Sequence, residues 1–309
     1  MSTLREEALE LIKKRSRRVV NIDEFLDNYC FDIIADTGGS IVSIKTIERL
    51  EKYSSTEARD LHKLSRLFEG PSLVISEKNK ENYLETGIFY SKSGVKAVNM
   101  ETFEMLIKGE KIPYIYKDRG GIYVKIDPSK LKRTRMEKDL SLGDIAYKLG
   151  VSRKAVYEWE RGKMDISLDV AVKLIEILGE DITLKVSLED VTCSRSIASS
   201  SKERSLMDQA IIKLKEKLDK MGFTTLVFNK TPFNLGSIKN SNKRIIVKNL
   251  GKKKLDEEEA RLVVRLAEVS KAKAIFIADK SNLREEDDFI ILGKDSVDSI
   301  EIVDFLREE

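Results

Sequence analysis

The run Leu142-Gly-Asp-Ile-Ala-Tyr-Lys-Leu-Gly-Val-Ser-Arg-Lys-Ala-Val-Tyr-Glu-Trp-Glu-Arg-Gly-Lys163 constrains this chain more than any other stretch. Leu142, Ile145, Ala146 and Leu149 stand at i, i+3, i+4 and i+7, the apolar stripe of a helix. Gly150 permits a left-handed turn with no Cβ to clash. Ser152 is a natural N-cap for a second helix through Arg161, which Gly162 closes. Inside that helix Val156 and Trp159 point one way, while Arg153, Lys154, Tyr157 and Glu158 point elsewhere. A short helix with a thin apolar stripe and polar side chains at its start suits the major groove of duplex DNA.

Together with Leu131-Lys-Arg-Thr-Arg-Met136 before it and Ser167 to Leu178 after it, the run resembles the λ-repressor/Cro type of helix-turn-helix over about 50 residues. The Trp159-Glu-Arg-Gly-Lys163 tail is the most specific part of the match. By position, the resemblance implies base-edge contacts from Arg153, Lys154 and Glu158, with Tyr157 beside them. It implies phosphate contacts from Ser152, Arg161 and Lys163, and an internal ion pair between Arg135 and Glu160. Leu142 stands where the family usually carries a DNA-contacting glutamine, which shifts base reading onto the second helix. Bulk charge adds nothing, since 127–186 carries 12 Lys+Arg against 11 Asp+Glu.

At 309 residues the chain has room for two or three domains. Charged residues make up 35% yet net to +3, a balance suited to the surface ion-pair networks associated with growth at high temperature. No stretch approaches the roughly 18 apolar residues of a membrane span, and the N-terminus lacks an apolar signal core. Cys30, Cys193 and the single histidine, His62, make no metal-ligand spacing. These features predict a cytoplasmic protein with no membrane partner and no metal. In the absence of any Gly-rich phosphate loop, neither a cofactor nor a small-molecule effector is expected.

Either side of the helix-turn-helix the pattern changes. Over 1–126, an amphipathic helix at 3–15 precedes β-like runs at Phe31–Ala35, Gly39–Lys45 and Ser72–Ser76, with a helix Thr56–Phe68 before the last. Shorter runs follow at Gly87–Tyr90, Ala97–Val98, Tyr114–Tyr116 and Gly121–Ile126. This order indicates an α/β domain. Residues 127–186 form the helical domain, and 187–205 read as a polar linker. Residues 206–309 return to α/β, with helices Leu206–Met221 and Asp256–Ser270 and strands Thr224–Phe228, Arg244–Lys248 and Ala274–Ala278.

The two α/β segments read as an internal duplication. Ser43-Ile-Lys45 matches Ile246-Val-Lys248, Glu57-Ala-Arg59 matches Glu259-Ala-Arg261, and Ile75-Ser-Glu-Lys78 matches Ile277-Ala-Asp-Lys280. Phe31-Asp-Ile33 finds an echo in Phe233-Asn-Leu235. The repeated unit resembles the restriction-endonuclease-like fold, as in archaeal Holliday-junction resolvases. That likeness implies an Asp and a Glu/Asp sharing Mg²⁺, with a Lys two residues beyond the second acid. The first copy offers Asp32 (or Asp36) and Lys45, but Ser43 replaces the second acid, leaving Glu48 or Glu51 as displaced candidates. The second copy has Asn234, Ile246 and Lys248, so both acids are gone. No catalytic or metal-binding residue is therefore expected.

The architecture resembles a group of archaeal regulators with a central λ-repressor-like domain. The expectation is sequence-specific binding of double-stranded DNA by a homodimeric transcriptional regulator, without enzymatic activity. The flanking domains are candidates to supply the dimer, and Lys45, Arg59, Lys63, Lys243, Arg244 and Lys248 to grip phosphates. Lys252-Lys-Lys254 reads as a solvated loop cluster, while Tyr114, Tyr116 and Tyr123 read as packing. Two other readings stay open: a structure-specific nuclease targeted by the helix-turn-helix, and an antitoxin-like scaffold whose α/β domains bind a protein.

Overall fold

Apolar strands alternating with capped helices build the N-terminal half of the computed structural model, which describes residues 3–22, 29–191, 208–240, 243–251, 257–279, 284–286 and 289–294. Helix α1 (Leu4–Lys13) starts from a capping box between Thr3 and Glu6. Strands β1 (Arg18–Asn21), β2 (Ile33–Asp36) and β3 (Ile41–Arg49) pair antiparallel. Helix α2 (Ser55–Phe68) is capped reciprocally by Ser54 and Glu57 and stops where Glu69 turns left-handed. Strand β4 (Ser72–Asn79) then lies parallel to β3, and β5 (Asn82–Tyr83) folds back on its end. Strands β6 (Ile88–Lys92) and β7 (Val95–Val98) form a hairpin whose second strand runs parallel to β4. Helix α3 (Met100–Ile107), β8 (Ile112–Pro113), β9 (Ile115–Asp118) and β10 (Gly121–Val124) follow.

Four short helices come next: α4 (Pro128–Glu137), α5 (Leu142–Leu149), α6 (Arg153–Glu160) and α7 (Leu168–Leu178), with strand β11 (Ile166–Ser167) between the last two. Leu131, Ile145, Val156, Trp159 and Leu174 form their core. Strand β12 (Lys185–Val186) then pairs with β8. The remainder comprises α8 (Gln209–Lys220), β13 (Thr224–Val227), β14 (Leu235–Lys239), β15 (Lys243–Gly251), α9 (Glu257–Ser270), β16 (Ala272–Ala278), β17 (Arg284–Glu286) and β18 (Phe289–Gly293).

The duplication is visible in the sheets. The first runs β1-β2-β3-β4-β7-β6 before continuing into β9, β10 and β11; the second runs β13-β14-β15-β16-β18-β17. Successive pairings are antiparallel, antiparallel, parallel, parallel and antiparallel in both. Lys45 lies opposite Val74, and Lys248 opposite Phe276, at matching places in the two ladders.

The copies face each other. Helices α2 and α9 lie between the two sheets in one continuous core that joins Leu61, Leu64 and Leu67 to Phe228, Phe233, Leu266 and Phe276. Outside it, α1 and α3 cover the far face of the first sheet, and α8 that of the second. At Gly236 on β14 an added Cβ would sit 2.4 Å from Leu67 Cδ2 and 3.0 Å from Phe228 Cε2, so any larger residue must displace these side chains. Asp60 on α2, itself 1% exposed, accepts the backbone N–H groups of Asn229 and Lys230, both at 2.6 Å. Cys30 N–H donates to Lys230 O at 2.7 Å.

This contact fills the faces of α2 and α9 within one chain, leaving the expected dimer of the flanking domains to other faces. It corrects the expectation for phosphate contacts. Most of the cations assigned to phosphate are consumed: Lys45 binds Asp32, Lys63 donates to Val227 O, Arg244 to Leu67 O, and Lys248 to Glu259. The start of the expected linker, Ser187–Val191, packs Leu188 and Val191 beside α1 and α3. Its continuation, Cys193 and Lys252-Lys-Lys254 lie outside the described residues.

The helical segment is fastened to the first sheet on both flanks. Strand β10 pairs with β11, Tyr123 opposite Ser167 and Val124 opposite Ile166. On the way out, Asp127 N–H donates to Ile182 O, Tyr114 N–H to Leu184 O, and Arg15 Nη1 to Ile107 O, with Arg15 Nη2 3.3 Å from Glu189.

Candidate nucleic-acid interface

Helix α6 is set by its neighbours. Ser141 and Asp144 cap α5 reciprocally, and Gly150 ends it at φ +68°. Ser152 Oγ accepts Ala155 N–H at 3.1 Å and so starts α6 one turn later. Val156 and Trp159 are buried beneath it. The Arg135 guanidinium reaches Glu160 at 2.6 and 3.2 Å and Leu140 O at 2.7 Å, tying α4 to the end of α6 and the approach to α5. Both side chains of this pair are nearly buried, so it holds the angle of the two helices as the resemblance implies.

What α6 presents outward is unusual for a helix start. Arg153 and Lys154 occupy its first turn, where the macrodipole favours anions, and no acidic residue accompanies them. Each cation there costs roughly 0.3–1 kcal/mol unless an anion lies outside. Ser152, Arg153, Lys154, Tyr157, Arg161 and Lys163 are exposed and Glu158 is half-buried. The Arg161 guanidinium lies over the Tyr157 ring, 5.3 Å from its centre. Glu158 O accepts the backbone N–H of Lys163 at 3.0 Å, which curls the tail back against the helix. In the same domain Lys130, Arg133, Arg135 and Lys185 find carboxylates, and Lys125 just before it pairs with Asp165. Among the described residues, Arg153, Lys154 and Lys163 find none, and neither do Lys132, Lys138, Lys148, Arg161 and Lys173; what sets Arg153 and Lys154 apart is their place in the first turn of α6.

Sequence reasoning missed what braces the tail. The Tyr116 hydroxyl donates to Asp165, and Lys125 Nζ sits 2.7 Å from the same carboxylate. Burial, then the neighbouring Asp165 charge, pushes the Tyr116 phenol well above its ordinary pKa. The rings of Tyr114, Tyr116 and Tyr123 stack at 5.7 and 5.8 Å, so the alternation is packing. Strand β11 escaped notice because two residues carry no periodicity.

The nuclease-like position is assembled but does not fit a divalent metal. Lys45 Nζ lies 2.8 Å from Asp32 Oδ1, while Asp32 Oδ2 accepts Thr46 N–H at 2.6 Å and Thr46 Oγ1 at 2.7 Å. Ser43 adds a buried hydroxyl with no partner where a second carboxylate is needed. Glu51 is committed to Lys80 N–H and to Arg49, which lower its carboxyl to about 2. Asp36 caps its own turn by accepting Gly38 N–H.

A λ-repressor-like helical segment beside two nuclease-type α/β units is the class this geometry defines. Residues 1–112 match the PD-(D/E)XK superfamily domain, and residues 131–185 match the Helix-turn-helix family. A Pyrococcus horikoshii protein provisionally named an HTH-type transcriptional regulatory protein is 30% identical over 287 residues, covering 90% of this chain and 88% of its own length. Relatives of the same name occur in Pyrococcus furiosus, at 28% over 281 residues (90% and 88%), and Archaeoglobus fulgidus, at 26% over 312 residues (100% and 98%). The chain belongs to this family of archaeal HTH-type transcriptional regulatory proteins. Among solved structures, the SinR/SinI complex is 21% identical, with a TM-score of 0.16 over 31% of this chain and 82% of that one. No helix among the described residues is long and apolar enough to cross a membrane.

Proposed function

We propose that the chain binds double-stranded DNA in a sequence-specific manner, as a cytoplasmic homodimeric transcriptional regulator. One observation carries the reading: Arg153 and Lys154 stand exposed and without carboxylate partners at the electropositive start of α6. A phosphate-lined groove relieves that strain, and the two side chains then reach base edges. Glu158 and Tyr157 complete the base-reading set, while Ser152, Arg161 and Lys163 hold phosphates. The working division is a body of 1–126 and 206–309 carrying the reader at 127–186. With α2 and α9 occupied by each other, a second copy meets this chain on another face.

Selection from random duplex DNA with the full-length protein, at moderate salt and without added metal, tests this. A pseudo-palindromic motif with half-sites about ten base pairs apart is the expected result. Enrichment of no sequence, with salt-sensitive retention of all DNA, sinks sequence-specific regulation.

Targeted nuclease activity keeps a narrower footing, because Asp32 and Lys45 still touch at the fold's catalytic position. Cleavage of plasmid or branched DNA with Mg²⁺ or Mn²⁺, abolished by Lys45→Ala, supports it. Intact DNA under both metals ends it.

A further inference from the structure

One basic projection is left unexplained by α6. Strands β9 and β10 form a hairpin, paired from Asp118–Gly121 back to Ile115–Val124. Its tip is Arg119-Gly120, with Gly120 at φ +94°, and 117–120 are all exposed. Arg119 makes no ion pair among the described residues. Lys117 comes within 3.9 Å of Glu85, with both side chains about half exposed. The other edge of β10 carries β11, which joins the tail of α6 to α7.

Register places the tip. Tyr123 sits opposite Ser167, so the antiparallel hairpin runs on beyond the first residues of α7. Three to four further residues at about 3.3 Å each carry Arg119 and Gly120 roughly 10–13 Å past that point. Asp165, gripped by Tyr116 and Lys125, locks this hairpin to the α6 tail. Strand pairing and this carboxylate therefore join the hairpin directly to the α6 tail.

We propose that the β9–β10 hairpin is a wing that lays Lys117 and Arg119 on the phosphate backbone beside the segment read by α6. The inference rests on α6 being a DNA reader. The chemistry points to a backbone: the tip offers two cations against one acid, Asp118, which accepts the Arg119 N–H, and side-chain-free glycines for close approach. It presents no large apolar side chain for a protein partner.

The test compares wild type, Lys117→Ala/Arg119→Ala and Lys117→Arg/Arg119→Lys across a salt series, on the selected operator and on random duplex. The alanine pair is expected to bind both duplexes about tenfold more weakly. Its slope of log affinity against log salt should fall by about 2, at about 0.9 per phosphate contact. The charge-preserving pair should bind like wild type. An alanine pair with wild-type affinity and slope overturns the wing alone and leaves the reader standing. Weaker binding to the operator alone, with an unchanged slope, also overturns it, because that is base reading. A wild type that binds no duplex overturns both.

Discussion

Asp32 and Asn234 occupy the same place in the two halves of the chain, and each turns a side-chain oxygen to the equivalent backbone neighbour. Asp32 Oδ2 accepts Thr46 N–H at 2.6 Å, and Asn234 Oδ1 accepts Asn249 N–H at 2.8 Å. Their own N–H groups donate to Ile44 O and Val247 O at 2.8 and 2.7 Å. The strand-bracing bond has outlived the charge. Lys45 answers Asp32, whereas Lys248, with no carboxylate opposite, turns to Glu259.

Asp32→Ala should therefore destabilise the protein by roughly 3–5 kcal/mol, because it leaves Lys45 nearly buried and uncompensated. Asp32→Asn combined with Lys45→Met, which imitates the second copy's amide and removes the stranded charge, should recover most of that loss. Denaturant unfolding measures both. A double variant as unstable as the alanine would assign the effect to something other than the pair.

Arg153→Ala with Lys154→Ala should erase preference for the operator over random duplex, at a cost of about 2–5 kcal/mol on the operator. Lys163→Ala should weaken both duplexes alike. Titrations in which the two variants behave identically would refute the division into base-reading and phosphate-holding residues.

Asp60 binds the second half of the chain through two backbone N–H groups. Asp60→Ala strands both and should cost roughly 3 kcal/mol. Melting should show the two halves losing their coupling, as one transition broadens or splits. An unchanged sharp melt would mean that the shared apolar core alone sets cooperativity.

His62 gives a pH dependence with a definite sign. Burial holds its imidazole pKa below the ordinary value, and a hydrogen bond with the Ser93 backbone opposes this only in part. The unfolded chain takes up a proton near pH 6.5 that the folded chain resists, so stability should fall as pH drops below about 6.5. As His62 is the single histidine, His62→Gln should flatten the dependence of melting temperature between pH 7.5 and 5.5. A slope surviving in the variant would move the effect to other groups.

Much of this was legible in the sequence, for physical reasons. The cap at Ser152, the left-handed Gly150 and the burial of Val156 and Trp159 are local chemistry, set within a turn or two. Paired motifs such as Glu57-Ala-Arg59 and Glu259-Ala-Arg261 exposed the duplication because both copies place them on the helix that packs between the sheets. Strand β1, helix α3 and strand β18 went unread, since short apolar segments share the periodicity of loops and helices alike. Charge was read least well. Nothing in the order of residues says that Lys63 finds a carbonyl 164 positions away, or that Arg244 finds one 177 away. Those partners exist because two distant segments fold against each other.

The facing of α2 and α9 has one more consequence. A two-subunit body obeys mass action and comes apart when its subunits are scarce. Here both halves are tethered in one chain, so their encounter does not depend on how many molecules share the cell. A regulator built this way keeps its shape at a single copy.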